Sequence, residues 1–349
     1  MIALSKASAF TCLLLVLLQC ISIKLYAIEE QRTQKVRRIA IIETMTLTHI
    51  QNSTNAYIEA IQLLFPDDKI QFQRMNAEGN YTRALALVDA LATANIQPDL
   101  LITVATLATK AAFKKQNDIT FPTVFMSVAD PISEGIIESF GKTSKANITG
   151  NSHVISSDKK LEFLTRIIKP DSSRPSNVAI ISTDYPSTIR EVAELIENSH
   201  TLNALAFFHL EFPYSPSVLK NMSTQTEVLK HLTNLNKPII GYWSPNGPLG
   251  PDDTLRENIY NKFNIPQLYV EDIEAIKNGA LIGIFPETSH IGQSAAKLSA
   301  RILNGEAANS IPVDRLKNFT VAVNVSTAVE FNLPIPSDLL QMAQEHVYH

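Results

Sequence analysis

Short apolar runs alternate with amphipathic stretches over most of the chain. VRRIAII (36–42) predicts a strand, whereas residues 53–64 place Ile58, Ile61 and Leu64 at the spacing of one helix face. Strands rich in Ile, Val, Leu and Phe that are separated by amphipathic helices indicate parallel sheets covered by helices.

This alternation runs through two successive sets of units, the second of which starts after Gly150. Strands are predicted over 36–42, 70–75, 99–104, 122–128 and 147–150, then over 177–182, 204–212, 238–243, 265–270, 280–285 and 319–325. Helices are predicted over 53–64, 81–94, 158–168, 187–199, 217–235, 253–263 and 289–304. Two sets of this kind predict an α/β protein with two doubly wound lobes, in which ligands bind outside the carboxyl ends of the strands.

The N-terminus has the order of a secretory signal. Lys6 precedes an apolar run over residues 7–23, and the small residue Ala27 stands just before the chain turns polar. Residues 1–27 are therefore predicted to be a signal peptide and the mature protein to be exported to the periplasm. An uncleaved anchor and a form lipid-anchored through Cys20 are the alternatives, although Gln19 stands where a lipidation signal has a small residue.

The composition limits the partners and the catalytic chemistry that can be expected of this chain. The net charge is −4 and no basic block occurs, so nucleic acid is not an expected partner. Both cysteines, Cys12 and Cys20, fall in the predicted signal, and the eight histidines include no His-x-His or His-Glu-x-x-His pair. With no Gly-x-Ser-x-Gly elbow either, we expect no metal, no cofactor and no nucleophilic catalysis.

Polar residues follow two predicted strands of the first lobe. Thr103 and Thr106 lie where strand 99–104 meets a helix, and hydroxyls with free N–H groups at a helix N-terminus suit an anion such as a carboxylate. Asp130 follows Ser127 at the end of the next strand. Thr106 and Asp130 have two interpretations each, as helix caps or as ligand contacts, with Asp130 either capping a helix that begins at Pro131 or accepting a ligand ammonium.

The second lobe offers a similar set. Tyr185 and Asn246 follow predicted strands, and Glu271 is either a first-turn helix acid or an ammonium acceptor. Tyr185, Phe285 and Trp243, the single tryptophan, lie near strand ends and serve either as core residues or as walls for a flat ligand group.

Two blocks of sequence are recognisable. FPTVFMSVADPISEGIIESFGKTSKANITGNS (121–152) carries Asp-Pro and then Asn-Ile-Thr-Gly, and AAKLSARILNGEAANSIPV (295–313) is followed by FTVAVNVSTAVEFNLPIPSDLL (319–340). Together they resemble the substrate-binding proteins of ABC transporters that are related to the tryptophan- and tyrosine-binding type, over about 36–345.

The resemblance implies a type I periplasmic-binding-protein fold, with two Rossmann-like lobes, each a parallel sheet with helices on both faces, joined by a three-segment hinge. Lobe 1 would comprise 36–150 plus 286–312 and lobe 2 151–285 plus 313–349. The chain would cross near 148–153, 283–287 and 313–319.

The resemblance, with the strand-end residues, gives a set of expected ligand contacts. They are Glu43, Thr103, Thr106, Ser127, Asp130, Asn151, Tyr185, Ser187, Ser244, Asn246, Glu271 and Phe285. Glu43, the pair His49–Ile50 and the loop 245–251 depart from the pattern of the family, which leaves the identity of the ligand open.

The implied function is non-catalytic. The chain would capture a small carboxylate-bearing molecule between its lobes, an amino acid with aromatic ones among the candidates, and deliver it as a monomer to the membrane permease of an ABC import system. Two alternatives remain: an exported enzyme that uses Asp130 and Glu271 as acid and base, and the ligand sensor of a signalling system.

Overall fold

The computed structural model describes residues 34–168, 175–199, 205–216, 222–235, 237–316 and 318–349. The predicted signal peptide and the start of the helix predicted over 217–235 lie outside these ranges.

Thirteen strands and eleven α-helices are found in the described residues. The strands are β1 Val36–Glu43, β2 Lys69–Asn76, β3 Leu100–Val104, β4 Thr123–Val128, β5 Ile148–Ser152, β6 Ser176–Thr183, β7 Leu205–Phe212, β8 Gly241–Trp243, β9 Gln267–Tyr269, β10 Ile282–Phe285, β11 Asp314–Arg315, β12 Thr320–Asn324 and β13 Val347–Tyr348. The helices are α1 Thr48–Leu64, α2 Tyr81–Ala92, α3 Thr106–Lys114, α4 Ser157–Ile167, α5 Pro186–Ser199, α6 Met222–Thr233, α7 Asp253–Phe263, α8 Ile273–Lys277, α9 Thr288–Leu303, α10 Val325–Glu330 and α11 Ser337–Ala343.

The strands form two separate sheets, in the orders β11-β5-β4-β3-β1-β2 and β13-β12-β10-β9-β8-β6-β7. Every residue of β3 and β4 is buried, as expected of strands covered on both faces, whereas the edge strand β2 is largely exposed. The predicted α/β fold of two lobes is confirmed, and every predicted strand overlaps an observed one.

Two strands, β12 and β13, run against the parallel pattern that the sequence predicts, since β13 pairs parallel with β12. β12 pairs antiparallel with β10, with Phe285 opposite Thr320. The chain leaves the second sheet at Phe285, passes through α9 and β11 on the first lobe, and returns at Thr320 beside its point of exit. Because exit and return lie at the same end of the sheet, β12 must run in the opposite direction to β10.

The segment after Asp130 also differs from the prediction. Residues 131–141 form turns in place of the expected helix, and Gly135 and Gly141 adopt positive φ angles of 72° and 79°. A left-handed residue interrupts the run of right-handed dihedrals that a helix requires. Asp130 still caps the turn, because its Oδ1 accepts hydrogen bonds from the N–H groups of Ile132 and Ser133, each at 3.1 Å.

The first lobe depends on a helix that comes late in the sequence. α9 packs against α1, and a Cβ atom added at Gly292 would lie 2.5 Å from the backbone nitrogen of Tyr57 and 2.6 Å from the carbonyl oxygen of Ser53. The two backbones approach this closely only because residue 292 has no side chain. Residues beyond the predicted limits of lobe 1 also pair with its sheet, since Asn151 of β5 is paired with Asp314 of β11.

Candidate functional site

The carboxyl ends of strands from both sheets meet at a cleft of about 350 Å³ between the lobes. Ser127 after β4 and His49 on α1 line it from the first lobe. Asn246 after β8, Glu271 after β9 and Phe285 at the end of β10 line it from the second. The cleft lies where the strand-end rule for doubly wound sheets places a ligand.

A side cavity of about 40 Å³ shares part of this wall. Thr106, Tyr185 and Ser187 line the side cavity. His49, Ser127, His153, Asn246 and Gly247 line both spaces. The predicted contacts therefore divide, with Ser127, Asn246, Glu271 and Phe285 on the main cleft and Thr106, Tyr185 and Ser187 on its side cavity.

Ser127 has an unusual conformation. Its φ angle is +57°, and its buried Oγ has no hydrogen-bond partner among the described residues. A positive φ is costly for serine, and a buried hydroxyl without a partner is costly too. The Ser127 hydroxyl is thus a free donor at the boundary between the cleft and the side cavity.

Asn246 and Glu271 form one polar unit on the opposite wall. The Nδ2 group of Asn246 donates to Oε2 of Glu271 at 2.8 Å and lies 3.0 Å from Nε2 of His153. The hydroxyl of Tyr269 donates to Oε1 of Glu271 at 3.4 Å. The cleft thereby presents a carboxylate in a fixed orientation.

A buried lysine stands behind this carboxylate. Lys160 on α4 is fully buried and forms ion pairs with Glu271 and with Glu191, the latter at 3.0 Å between Nζ and Oε2. Glu191 also accepts hydrogen bonds from the backbone N–H of Asn246 at 2.9 Å and from the indole of Trp243 at 3.2 Å. Burial opposes the charged form of Lys160, but the two carboxylates outweigh it and raise the pKa of Lys160.

The histidines of the cleft differ in environment. Burial lowers the pKa of His153 to about 4, so its imidazole is neutral at pH 7 and its Nε2 can accept from Asn246. His49 is partly exposed, and its Nδ1 lies 3.8 Å from Oδ2 of Asp272 across the cleft. Burial alone would raise the pKa of Asp272, but the nearby imidazole of His49 and hydrogen bonds from backbone N–H groups lower it below its ordinary value.

Five predicted contacts lie outside both spaces, and each has another partner. The Glu43 carboxylate pairs with Arg74 at 2.6 Å, and the Thr103 hydroxyl lies 2.9 Å from that of Thr109. Asn151 donates to Ser294, and Ser244 accepts from Gln267 at 2.8 Å. Asp130 pairs with Arg190 of the second lobe at 3.2 Å, which occupies the carboxylate that the sequence offered to a ligand ammonium.

Sequence reasoning missed Lys160, Glu191, His153, His49 and Asp272. Lys160 carried a usable signal, because it lies at helical spacing from Leu164 and Ile167 and so interrupts an apolar face. A lysine in such a position is buried only when it is paired. The residues that pair with it are remote in sequence, and no local pattern identifies them.

The model for the family described as "ABC transporter substrate binding protein" matches residues 39–236 and 254–347. The chain belongs to this family. Its members are substrate-binding proteins, so the cleft between the lobes is the expected place for a small molecule.

Named relatives of this substrate-binding protein agree with the assignment. A "Tyrosine-binding protein" of Clostridioides difficile is 22% identical over 298 residues, which are 84% of this chain and 81% of the relative. The structure of an ABC domain from Streptococcus pneumoniae in complex with L-Trp has a TM-score of 0.75 at 16% identity. The match covers 88% of this chain and 99% of the other chain. A ligand-free, open substrate-binding protein with adhesive properties from Clostridium difficile has a TM-score of 0.64 at 18% identity, and covers 89% and 98%.

Two further features concern the described part of this substrate-binding protein. No helix there combines the length and the apolar character that crossing a bilayer requires. Nor do three or more histidine, cysteine or acidic side chains gather there as a metal site would require. The polar groups of the cleft include hydroxyl, amide, imidazole and carboxylate groups that can bind an organic ligand.

Proposed function

We propose that this protein captures an amino acid in the cleft between its lobes and delivers it to the permease of an ABC import system. The observation that carries the proposal is the pairing of a free donor, the Ser127 hydroxyl, with the fixed acceptor Glu271 on the opposite wall. A donor and a carboxylate on facing walls suit the two charged ends of a zwitterion.

The charge of the cleft supports a ligand that carries an amine. Four carboxylates line the described cleft, those of Glu271, Asp272, Glu274 and Glu287, whereas Lys277 is the one lysine or arginine that does so. Lys277 is already paired with Glu274 at 2.7 Å. An excess of negative charge favours a cationic group and disfavours a ligand that is only anionic.

The carboxylate of the ligand would lie at the junction with the side cavity. Ser127 offers a hydroxyl there, and Thr106, the first residue of α3, lines the side cavity with a second hydroxyl. The apolar part of the ligand would then face Phe285, Val270 and Ile291 in the larger space. Aromatic amino acids have the matching combination of groups, and two relatives are described as tyrosine-binding and as a complex with L-Trp.

The enzyme alternative has less support. Asp130 and Glu271, the carboxylates considered for acid and base roles, line different cavities, and each is paired with a cation. General acid–base catalysis requires both groups within reach of one substrate. A non-catalytic binder requires only the ordered polar groups that the cleft provides.

Calorimetric titration and thermal-shift measurements on native, unrefolded protein test this proposal. We expect L-tyrosine or L-tryptophan to bind and stabilise the fold, and their deaminated analogues to bind at least about tenfold more weakly, the scale of one charge-assisted hydrogen bond. Stabilisation by neutral sugars with no response to any amino acid would contradict the proposal. Loss of amino-acid uptake on deletion of the gene, with regulation of transcription unchanged, would separate transport from sensing.

A further inference from the structure

Lys160 is the most deeply buried charged side chain associated with the cleft, and it does not line the cleft itself. Its Nζ lies between Glu191 of α5 and Glu271, while its helix position faces inward with Leu164 and Ile167. Removing a charged amine from water is strongly unfavourable unless ionic partners compensate it. Apolar residues of similar size would fill this position at lower cost, so the charge has a use that packing does not explain.

The two carboxylates hold different parts of the ligand wall. Oε1 of Glu271 contacts Lys160 and Tyr269, which leaves Oε2 with a single donor among the described residues, the side chain of Asn246. Oε2 therefore retains acceptor capacity at the cleft. Glu191 binds the backbone N–H of Asn246, so both cleft residues are anchored through carboxylates that share the Lys160 cation.

We propose that Lys160 is a positioning residue of the ligand site, which holds the Glu271 carboxylate in an orientation in which its free acceptor receives the amine of the ligand. This inference rests on the proposed function for the identity of the ligand, but not for the effect of Lys160 on the two carboxylates. One cation between two carboxylates leaves one negative charge uncompensated, and a bound ammonium supplies the missing positive charge.

The charged and titratable groups around this unit come from every element packed on it. Glu191 faces Lys160 from α5, and Tyr269 and Glu271 face it from β9 and from the loop after β9. His153 lies nearby on the loop after β5, and His49 of α1 lies beyond His153. Burial raises the pKa of Glu191, whereas Lys160 lowers it. Loss of Lys160 would therefore favour protonation of Glu191.

The first experiment measures binding of L-tyrosine between roughly pH 5 and 7, where its amine is mostly protonated. We expect Lys160→Met to bind at least about tenfold more weakly at pH 7 and to lose about another tenfold per pH unit on acidification. Glu191→Gln removes the uncompensated negative charge and leaves the Lys160–Glu271 pair in place, so it should also bind more weakly than the wild type at pH 7. Lys159→Met changes the exposed neighbour of Lys160 on the same helix and is the matched control.

The second experiment needs no ligand. The indole N–H of Trp243, the single tryptophan, donates to Glu191, so its NMR signal reports the titration of the carboxyl groups. We expect the midpoint to move upward by at least about one pH unit in Lys160→Met and to stay unchanged in Lys159→Met. The double variant Lys160→Met/Glu191→Gln, which removes one charge of each sign, should recover binding at pH 7.

These outcomes separate the two proposals. If the indole midpoint does not move in Lys160→Met, Lys160 has no positioning role whatever the wild type binds. A wild type that binds no amino acid, with a midpoint that moves as expected, contradicts the proposed function alone. If wild type and Lys160→Met bind L-tyrosine equally at every pH, while Glu271→Gln does not bind it, the inference about Lys160 is wrong and the proposed function stands.

Discussion

His49 and Asp272 face each other across the cleft from different lobes, with 3.8 Å between Nδ1 of the imidazole and Oδ2 of the carboxylate. Asp130 and Arg190 bridge the lobes at a second place, 3.2 Å apart, and the Tyr214 hydroxyl donates to the carbonyl of Gly79 at 2.8 Å. The lobes are thus connected by pairs of polar groups as well as by the chain segments between them. Each pair is placed where it could affect how far the two lobes close.

Replacing Arg190 with Ala should favour the open form of the unliganded protein. The Asp130–Arg190 pair is partly exposed, so its loss should cost no more than about 1 kcal/mol, or about fivefold in affinity. Small-angle scattering should show a larger radius of gyration without ligand and an unchanged radius with saturating ligand. Arg301→Ala, which breaks the Arg301–Glu306 pair within the first lobe, is the control. Equal radii for both variants would contradict a role of Arg190 in closure.

Acid should destabilise the protein through His153. Its pKa is lowered to about 4 in the folded state, so between roughly pH 6.5 and 4 the unfolded chain binds a proton that the folded chain does not. Stability contributed by the neutral imidazole is therefore lost as the pH falls through this window, by about 3 kcal/mol in total. Denaturant unfolding at several pH values should show this slope.

His153→Gln should flatten this pH dependence, because glutamine can accept from Asn246 and does not titrate. His290→Gln, at an exposed position on α9, should leave the slope unchanged. A slope that is the same in His153→Gln as in the wild type would show that other groups cause the acid sensitivity.

The sequence predicted most of the fold because the central strands are apolar over their whole length. β3 and β4 needed no tertiary information, since a run such as LLITV is compatible with few other structures. The helix predicted after Asp130 was wrong, because Asp-Pro is compatible with a turn as well as with a helix start. The positive φ of Gly135 is compatible only with the turn. The antiparallel β12 depends on where the chain returns to the second lobe, which no local pattern encodes.

The site was predicted in part for a similar reason. Ser127, Asn246 and Glu271 were predicted because they follow strands, and they line the cleft because strand ends converge by topology. The same rule selected Asp130, which follows a strand but meets Arg190 instead of the cleft. Lys160 lies in the middle of a helix, where the rule does not apply, and its partners are 31 and 111 residues away in the sequence.

The contact between α1 and α9 gives a test of how the first lobe is built. Gly292→Ala should lower the free energy of unfolding by about 1 to 3 kcal/mol, because the new Cβ would meet backbone atoms of Ser53 and Tyr57 that cannot move independently. Gln293→Ala, at the exposed neighbouring position of the same helix, should change it by less than about 0.5 kcal/mol. Chemical denaturation measures both, and equal stability of the two variants would contradict the close approach.

Ser127 should show opposite effects on stability and on binding. Its positive φ and its buried hydroxyl without a partner both destabilise the unliganded fold, and a bound carboxylate would supply the missing acceptor. Ser127→Ala should leave the free energy of unfolding unchanged or raise it slightly, because the unpaired hydroxyl is gone. Its affinity for L-tyrosine should fall about fivefold to fifteenfold, the equivalent of one hydrogen bond.

A second variant and a control test the two effects separately. Ser127→Gly should in addition relieve the backbone strain and raise stability by up to about 1 kcal/mol, with the same loss of affinity. Ser144→Ala removes a buried hydroxyl that already accepts from the N–H of Ala146, and should instead lower stability while leaving binding unchanged. Calorimetric titration and denaturant unfolding of the three variants give both quantities. If Ser127→Ala lowers stability and keeps full affinity, the hydroxyl has a structural partner and does not bind the ligand.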